Sequence, residues 1–321
     1  MLMSGPSSIA IGLHAVILTV QDETPAVLVV RGSEDALPFG PFDPERHRTL
    51  ETGLRVWVEA QTGLRPGYVE QLYTFGDRDR YKPARGDDGT HVVSVGYLAL
   101  ARQAEAPPML EGARWEPWYR YFPWEDGRDG APGLIAQSIL PRLLAWRDAR
   151  GLAAADRERR AERIRACFGG DDVAWDEEKV LERFELLYEA GIPAEALRDS
   201  GRAETADSRA FGRAMAFDHR RILATAMGRL RGKLKYRPVV FELMPPDFTL
   251  LQLQRTVEAV SGIRLHKQNF RRMVEQSGLV EPTGRFASFG AGRPAEQFRF
   301  RRAAVAERRV AGVGPVGRRR G

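Results

Sequence analysis

Apolar positions change period along this chain, and each change marks an element. Residues 9–20 and 25–31 are apolar, β-branched runs separated by Gln21-Asp22-Glu23-Thr24, which predicts a hairpin of buried strands. Leu37-Pro38-Phe39-Gly40-Pro41-Phe42 follows. Asp43-Pro44-Glu45 then carries a cap residue and a first-turn proline, so a helix is expected from there to Thr62, with Leu50, Leu54 and Val58 inward and Gly63 closing it. Residues 68–75 and 91–100 read as strands joined by a polar loop. Helical spacing returns at 134–146, 156–168 and 176–190, the last burying Val180, Phe184 and Leu187, with Gly169-Gly170 and Gly191-Ile192-Pro193 as breaks. A longer helix is expected over 217–235, carrying Ile222, Leu223, Ala226 and Leu230 on one side.

The last third carries the most ordered pattern. Thr249 caps a helix whose apolar residues fall at Leu250, Leu253, Val257 and Val260, and Ser261-Gly262 ends it. A second helix starts near His266, burying Phe270, Met273 and Val274 and turning Lys267, Gln268, Arg271 and Arg272 outward. After Gly278 come Leu279-Val280, Pro282-Thr283-Gly284, a glycine-rich loop at 290–294 and Gln297-Phe298-Arg299-Phe300. Helix, tight turn, helix and basic hairpin is the pattern of a winged helix-turn-helix. Lys267, Gln268, Asn269, Arg271 and Arg272 supply the donors of a major-groove helix, Arg toward guanine and Asn or Gln toward adenine. Arg285 and Arg293 in the wing would sit at phosphates or the minor groove and fix register without reading sequence. A solvated basic helix in an ordinary helical domain would share the charge but not this order of elements.

Charge sharpens the picture. The net charge of +6 hides a split: 27 Lys and Arg against 35 Asp and Glu over residues 1–213, and 22 against 8 over 214–321. The first part is −8 and the last +14, which points to a polyanionic partner for the C-terminal end. With 321 residues, about two domains with full cores are expected. One cysteine, Cys167, excludes an intramolecular disulfide and a cysteine-based zinc site. Residues 1–10 lack the basic start and apolar core of a signal peptide, and no apolar run approaches the length of a membrane span, so a cytoplasmic, membrane-free protein is expected. Residues from Pro315 to Arg318-Arg319-Arg320-Gly321 read as a disordered basic tail adding nonspecific phosphate attraction.

The order strand, Leu-Pro-Phe-Gly-Pro-Phe, helix, Thr-Gly-Leu resembles a Nudix domain. Gln71-Leu72-Tyr73-Thr74-Phe75-Gly76-Asp77-Arg78-Asp79-Arg80 and Val92-Val93-Ser94-Val95-Gly96-Tyr97-Leu98 resemble one subfamily, the Nudix-related transcriptional regulators of NAD metabolism. Ala216-Phe217-Asp218-His219, Leu230-Arg231-Gly232-Lys233-Leu234, Tyr236-Arg237-Pro238, Phe241-Glu242-Leu243, Phe248-Thr249-Leu250 and Asn269-Phe270-Arg271-Arg272 are similar to that group's joining helix and DNA-binding module. The resemblance covers roughly residues 9–125 and 214–302. It implies an α+β fold: a Nudix-like α/β/α sandwich over 1–126, a helical insertion over 127–213, a linking helix over 214–235, a winged helix-turn-helix over 236–302 and a tail over 303–321. The aromatic stretch Trp115 to Trp124 is expected to dock the insertion.

The sequence departs from the family at the Nudix box. Active members carry glutamates on one helix face to hold Mg²⁺ against a diphosphate, and Mg²⁺ needs several hard oxygen ligands. Anchoring on Gly63-Leu64 puts Val56-Trp57 at the Arg-Glu pair and Ala60-Gln61 at the Glu-Glu pair, and anchoring on Arg55 leaves only Glu59 in place. No catalytic residue, metal site or cofactor is therefore expected. By resemblance the pocket would hold ADP-ribose or a related nucleotide effector against the 37–42 turn and the 73–80 segment. Arg31, Arg78 and Arg80 are the candidate cations, Phe39 or Tyr73 the base-stacking rings, and Asp77 lies among them. The implied function is a nucleotide-responsive transcriptional regulator of NAD-related genes, a homodimer on a double-stranded DNA operator. Two alternatives stand beside it: a diphosphate hydrolase recruiting Asp77, Asp79 or Asp87-Asp88, and a regulator whose Nudix-like domain is only a dimerisation scaffold.

Overall fold

In the computed structural model, residues 9–77, 90–102, 110–170, 172–288 and 294–303 are described. β1 (Ile9–Gln21) and β2 (Thr24–Arg31) form the expected hairpin. Asp22 and Glu23 at its tip take φ of 46° and 61°, the mirror-image turn whose twist matches the flanking strands. β3 (Asp35–Ala36), β4 (Phe39–Pro41), β5 (Tyr68–Phe75), β6 (His91–Leu100) and β7 (Ala113–Pro117) complete a mixed sheet ordered β3-β2-β1-β6-β5, with β4 on β1 and β7 on β2. β1 reads as an unbroken apolar run because both its faces are covered. Leu13, Ala15 and Ile17 pack with Leu54 and Val58 of α1 (Leu50–Thr62), while Val16 and Leu18 face the opposite layer.

α1 begins at Leu50 rather than at Asp43. Thr49 and Thr52 cap it reciprocally, each side-chain hydroxyl accepting the other's backbone N–H. Asp43 closes a separate turn instead, its carbonyl accepting the Arg46 and His47 amides and its carboxylate the Glu45 amide. A proline-primed cap thus loses to a two-sided one a few residues on.

The layer opposite α1 is built by the insertion and the linking helix. A π turn at Ile135–Ile139 continues into α2 (Leu140–Arg147), followed by α3 (Ala154–Phe168), α4 (Val180–Glu189), α5 (Ala194–Asp199), α6 (Ala206–Arg209) and α7 (His219–Tyr236). The winged module follows: β8 (Asp247–Thr249), α8 (Leu250–Ser261), α9 (Lys267–Ser277), β9 (Val280–Ala287) and β10 (Ala295–Phe300), with sheet order β8-β10-β9. Trp118, Tyr121, Phe122 and Trp124 are fully buried, and Phe122 meets Phe184 of α4 edge-on at 5.9 Å, so the aromatic stretch docks the insertion as its composition suggested. One apolar cluster then runs unbroken from Val16 and Leu18 through these rings, α4 and α7 to Phe270 and Val274 of α9. The divisions read along the chain share a core.

At the centre of that core lies a charge triad. The Glu125 carboxylate takes Arg183 of α4 at 2.6 and 2.8 Å and Arg231 of α7 at 2.6 Å, all three side chains being inaccessible to solvent. Burial opposes a charge on Glu125, yet the two guanidinium groups outweigh it and hold the carboxyl below its ordinary range. Removing one member strands the others, so Glu125→Ala is expected to lower unfolding free energy by about 3–5 kcal/mol. Urea unfolding at neutral pH measures this. A midpoint equal to that of the parent chain would contradict the triad's structural role.

Candidate nucleic-acid interface and ligand pocket

α9 buries Phe270 and Val274, which fixes what its other side presents. Gln268, Arg272 and Gln276, spaced four residues apart, form the ridge opposite those two, flanked by Lys267, Asn269 and Arg271, and all six are exposed. The Arg272 guanidinium donates to Asn269 Oδ1 at 3.3 Å, which turns it along the ridge. Gln276 was not among the residues singled out from the sequence, although its spacing from Arg272 carried the signal.

The turn before α9 is held by Glu258, a buried carboxylate on α8. It accepts the Leu265 amide at 3.0 Å, Gln254 Nε2 at 2.8 Å, Arg264 at 3.1 Å and Arg255 at 3.2 Å. In the wing, Arg285 is exposed but paired with Asp247, so it is oriented before any phosphate arrives. Phe286 beside it is exposed. Arg293 lies outside the described residues.

The second candidate site surrounds the 37–42 turn. Phe39 lies parallel to His14 with centroids 5.9 Å apart and meets His219 and Phe217 edge-on at 5.1 and 5.3 Å. The Leu37 amide donates to His219 Nδ1 at 3.0 Å, which puts the His219 proton on Nε2, facing His14 Nδ1 at 2.9 Å. Burial holds both rings neutral, lowering His14 to about 3 and His219 well below its ordinary value. The box positions of α1 are committed to the same turn. Gln61 bonds both backbone groups of Phe39, and the Trp57 indole donates to the Pro41 carbonyl at 2.9 Å while lying over Gly40, where any Cβ would come within 2.2 Å of the ring.

The remaining sequence candidates scatter. Arg31 is exposed at the end of β2. Tyr73 is exposed on β5, its ring 5.2 Å from Phe75. Asp77 pairs with Arg221 of α7, which also holds Glu185 at 2.6 Å and Asp218 at 3.2 Å. Arg78, Arg80, Asp79, Asp87 and Asp88 lie outside the described residues, as does the tail beyond Ala303. Among the described residues no group of three or more His, Cys, Asp or Glu is arranged to hold a metal ion, and no helix is long and apolar enough to cross a membrane.

Residues 240–300, the segment bearing the exposed ridge, match the family model of the NrtR DNA-binding winged helix domain. The C-terminal module belongs to that family. Over 86 residues, 27% of this chain, the sequence is 43% identical to the ADPR responsive transcriptional repressor NtrR of Acinetobacter baylyi, and the match spans only 34% of that relative's length. The crystal structure of Shewanella oneidensis NrtR complexed with a 27mer DNA is similar at a TM-score of 0.57 and 20% identity, covering 95% of this chain and 99% of that one. A MutT/nudix family protein from Enterococcus faecalis is similar at 0.51 and 16%, covering 94% and 90%. At such identities the likeness carries the fold, a Nudix-like layer followed by an NrtR-type winged helix.

Glu258 gives this module a pH signature. Burial would raise its carboxyl, but the Leu265 amide, Gln254, Arg264 and Arg255 lower it below the ordinary range. A depressed carboxyl contributes stability above its unfolded pKa of about 4.3 and loses it as pH falls through the folded value. Glu258→Gln is therefore expected to be less stable than the parent at pH 7, the two unfolding curves converging below about pH 4. A gap that stays constant with pH would contradict the assignment.

Proposed function

We propose that this chain is a DNA-binding transcriptional regulator of NAD-related genes, whose Nudix-like domain senses ADP-ribose or a related nucleotide without hydrolysing it. The observation that carries the reading is the coincidence of the 240–300 family match with the exposed ridge on α9. Gln268 and Arg272 are assigned to base edges, Lys267, Asn269 and Arg271 to flanking bases and phosphates, and Arg285 and Arg293 to the DNA backbone. A homodimer with recognition helices about 34 Å apart would match a palindromic operator. The cytoplasm is the compartment this reading requires.

The effector assignment takes support from the description of the Acinetobacter relative as ADPR responsive. Among the described candidates Phe39 is its most enclosed contact, with Arg31 and Tyr73 exposed; Arg78 and Arg80 remain candidates by sequence. The absence of hydrolysis is argued from Trp57 and Gln61, which are spent on the β4 backbone where a metal-binding helix would present carboxylates. Asp77, one of the carboxylates a hydrolase reading would recruit, is paired with Arg221.

Two outcomes are expected. Arg272→Ala should weaken operator binding and relax preference at one base pair of each half-site by about 1–3 kcal/mol, while Lys267→Ala weakens all duplexes alike and reduces the salt slope by roughly one per half-site. In-vitro selection of duplexes followed by salt titration separates the two, and equal loss on every sequence for both variants would remove the base-reading role. Incubated with ADP-ribose and Mg²⁺ or Mn²⁺, the protein should release no AMP. Turnover abolished by Asp77→Asn would favour the hydrolase instead.

A further inference from the structure

α7 touches both candidate sites. Its first residue, His219, is bonded to the Leu37 amide at the start of the 37–42 turn and to His14 on β1, within the Phe39 and Phe217 rings. Phe217, two residues before it, is held at φ 53°, a conformation that a bulky residue adopts only when its surroundings impose it. Arg221, in the same first turn, ties in the end of β5 through Asp77. Twelve residues on, a rise of about 18 Å at 1.5 Å per residue, Arg231 reaches the winged module.

The contact there is specific. A helix ends with carbonyls that lack intrahelical partners, and those at the end of α8 are taken by the body of the protein. Tyr119 Oη donates to the Ala259 carbonyl at 2.8 Å, Arg231 Nε to the Val260 carbonyl at 3.0 Å, and the Gly127 amide to the Gly262 carbonyl at 2.8 Å. Gly262 sits so close, at φ 75°, that a Cβ would lie 2.4 Å from the Glu125 carbonyl. The turn feeding α9 is thus bonded to the body, and Arg231 is itself fixed by Glu125, with Arg183 of the insertion completing the triad. No proline interrupts α7, so a shift at His219 has a continuous hydrogen-bonded path to Arg231.

We propose that His219 and Arg231 are positioning residues that couple the 37–42 turn to the recognition helix: His219 registers occupancy of the turn, and Arg231 passes the displacement to Val260 and the turn before α9. The insertion serves this coupling by bracing Arg231 through Arg183 and Glu125. The proposal rests on the nucleotide-sensing reading above, and its test separates the two.

The test measures dissociation constants for a duplex selected in vitro by the parent protein, with and without saturating ADP-ribose, alongside ADP-ribose affinity by calorimetry and folding by circular dichroism. Couplings between sites typically run about 5- to 150-fold. Arg231→Lys keeps a cation beside Glu125 but loses the guanidinium fork. It should bring the ratio to within about twofold of one while ADP-ribose affinity stays within about twofold of the parent's, since the ligand site is untouched. Tyr119→Phe deletes one hydroxyl and keeps the question answerable if the lysine variant does not fold; a reduction of about twofold or more is expected. A merely structural role would alter stability or both affinities together, not their ratio. Folded variants at both positions that keep the parent's ratio overturn the relay alone. A parent ratio of one overturns the sensing reading, and the relay with it.

Discussion

The arrangement of this protein depends on one buried carboxylate held between two arginines that come from different parts of the chain. Glu125 follows the aromatic stretch after β7, Arg183 comes from the insertion, and Arg231 from the linking helix. Buried ion groups cost desolvation, and a well-packed apolar substitute is often no less stable, so the triad's value lies in specificity of position rather than raw stability. Around it, Arg183 also bonds the Cys167 and Asp176 carbonyls, and Arg231 the Val260 and Glu177 carbonyls. Each guanidinium nitrogen is thereby engaged, which fixes how α4, α7 and the end of α8 meet.

That constraint changes the meaning of the insertion. Along the chain, residues 127–213 separate two recognisable modules. In space α7 packs directly on the sheet, and the insertion covers α7 through α4 and shares its core. The winged module is not tethered at the end of a linker. Its core continues into the Nudix-like layer, and its helix-turn-helix is bonded to the body at the Ala259, Val260 and Gly262 carbonyls. Charge is nonetheless segregated along the chain, −8 over residues 1–213 and +14 over 214–321, and α9 with the wing adds Lys267, Arg271, Arg272 and Arg285 to the basic end.

The strands, the linking helix and the winged module were legible in the sequence because each combines a clear period with an unambiguous stop. Thr249 with Gln252 opens α8 and Gly262 closes it, and Phe270 with Val274 sets the face of α9. The start of α1 was not legible. Asp43-Pro44 is a sound opening locally, and only the reciprocal cap of Thr49 and Thr52 explains why it yields. The departure from the Nudix box was visible, but not what fills the gap: Trp57 and Gln61 serve the β4 backbone, a long-range pairing without a local signature. Asp77 reads as a ligand contact and Arg285 as a DNA contact, but their partners Arg221 and Asp247 lie far away in sequence. The triad could not have been read at all, since its members are ordinary charged residues scattered over more than a hundred positions.

A sensor that controls DNA binding must obey reciprocity: whatever factor the nucleotide imposes on DNA affinity, DNA imposes on nucleotide affinity. The most direct measurement is calorimetric titration of ADP-ribose into the free protein and into the same protein saturated with its selected duplex. Two different dissociation constants are expected, in a ratio equal to that found for DNA with and without ADP-ribose. Identical constants in the two titrations, or no ADP-ribose binding in either, would contradict the sensing reading.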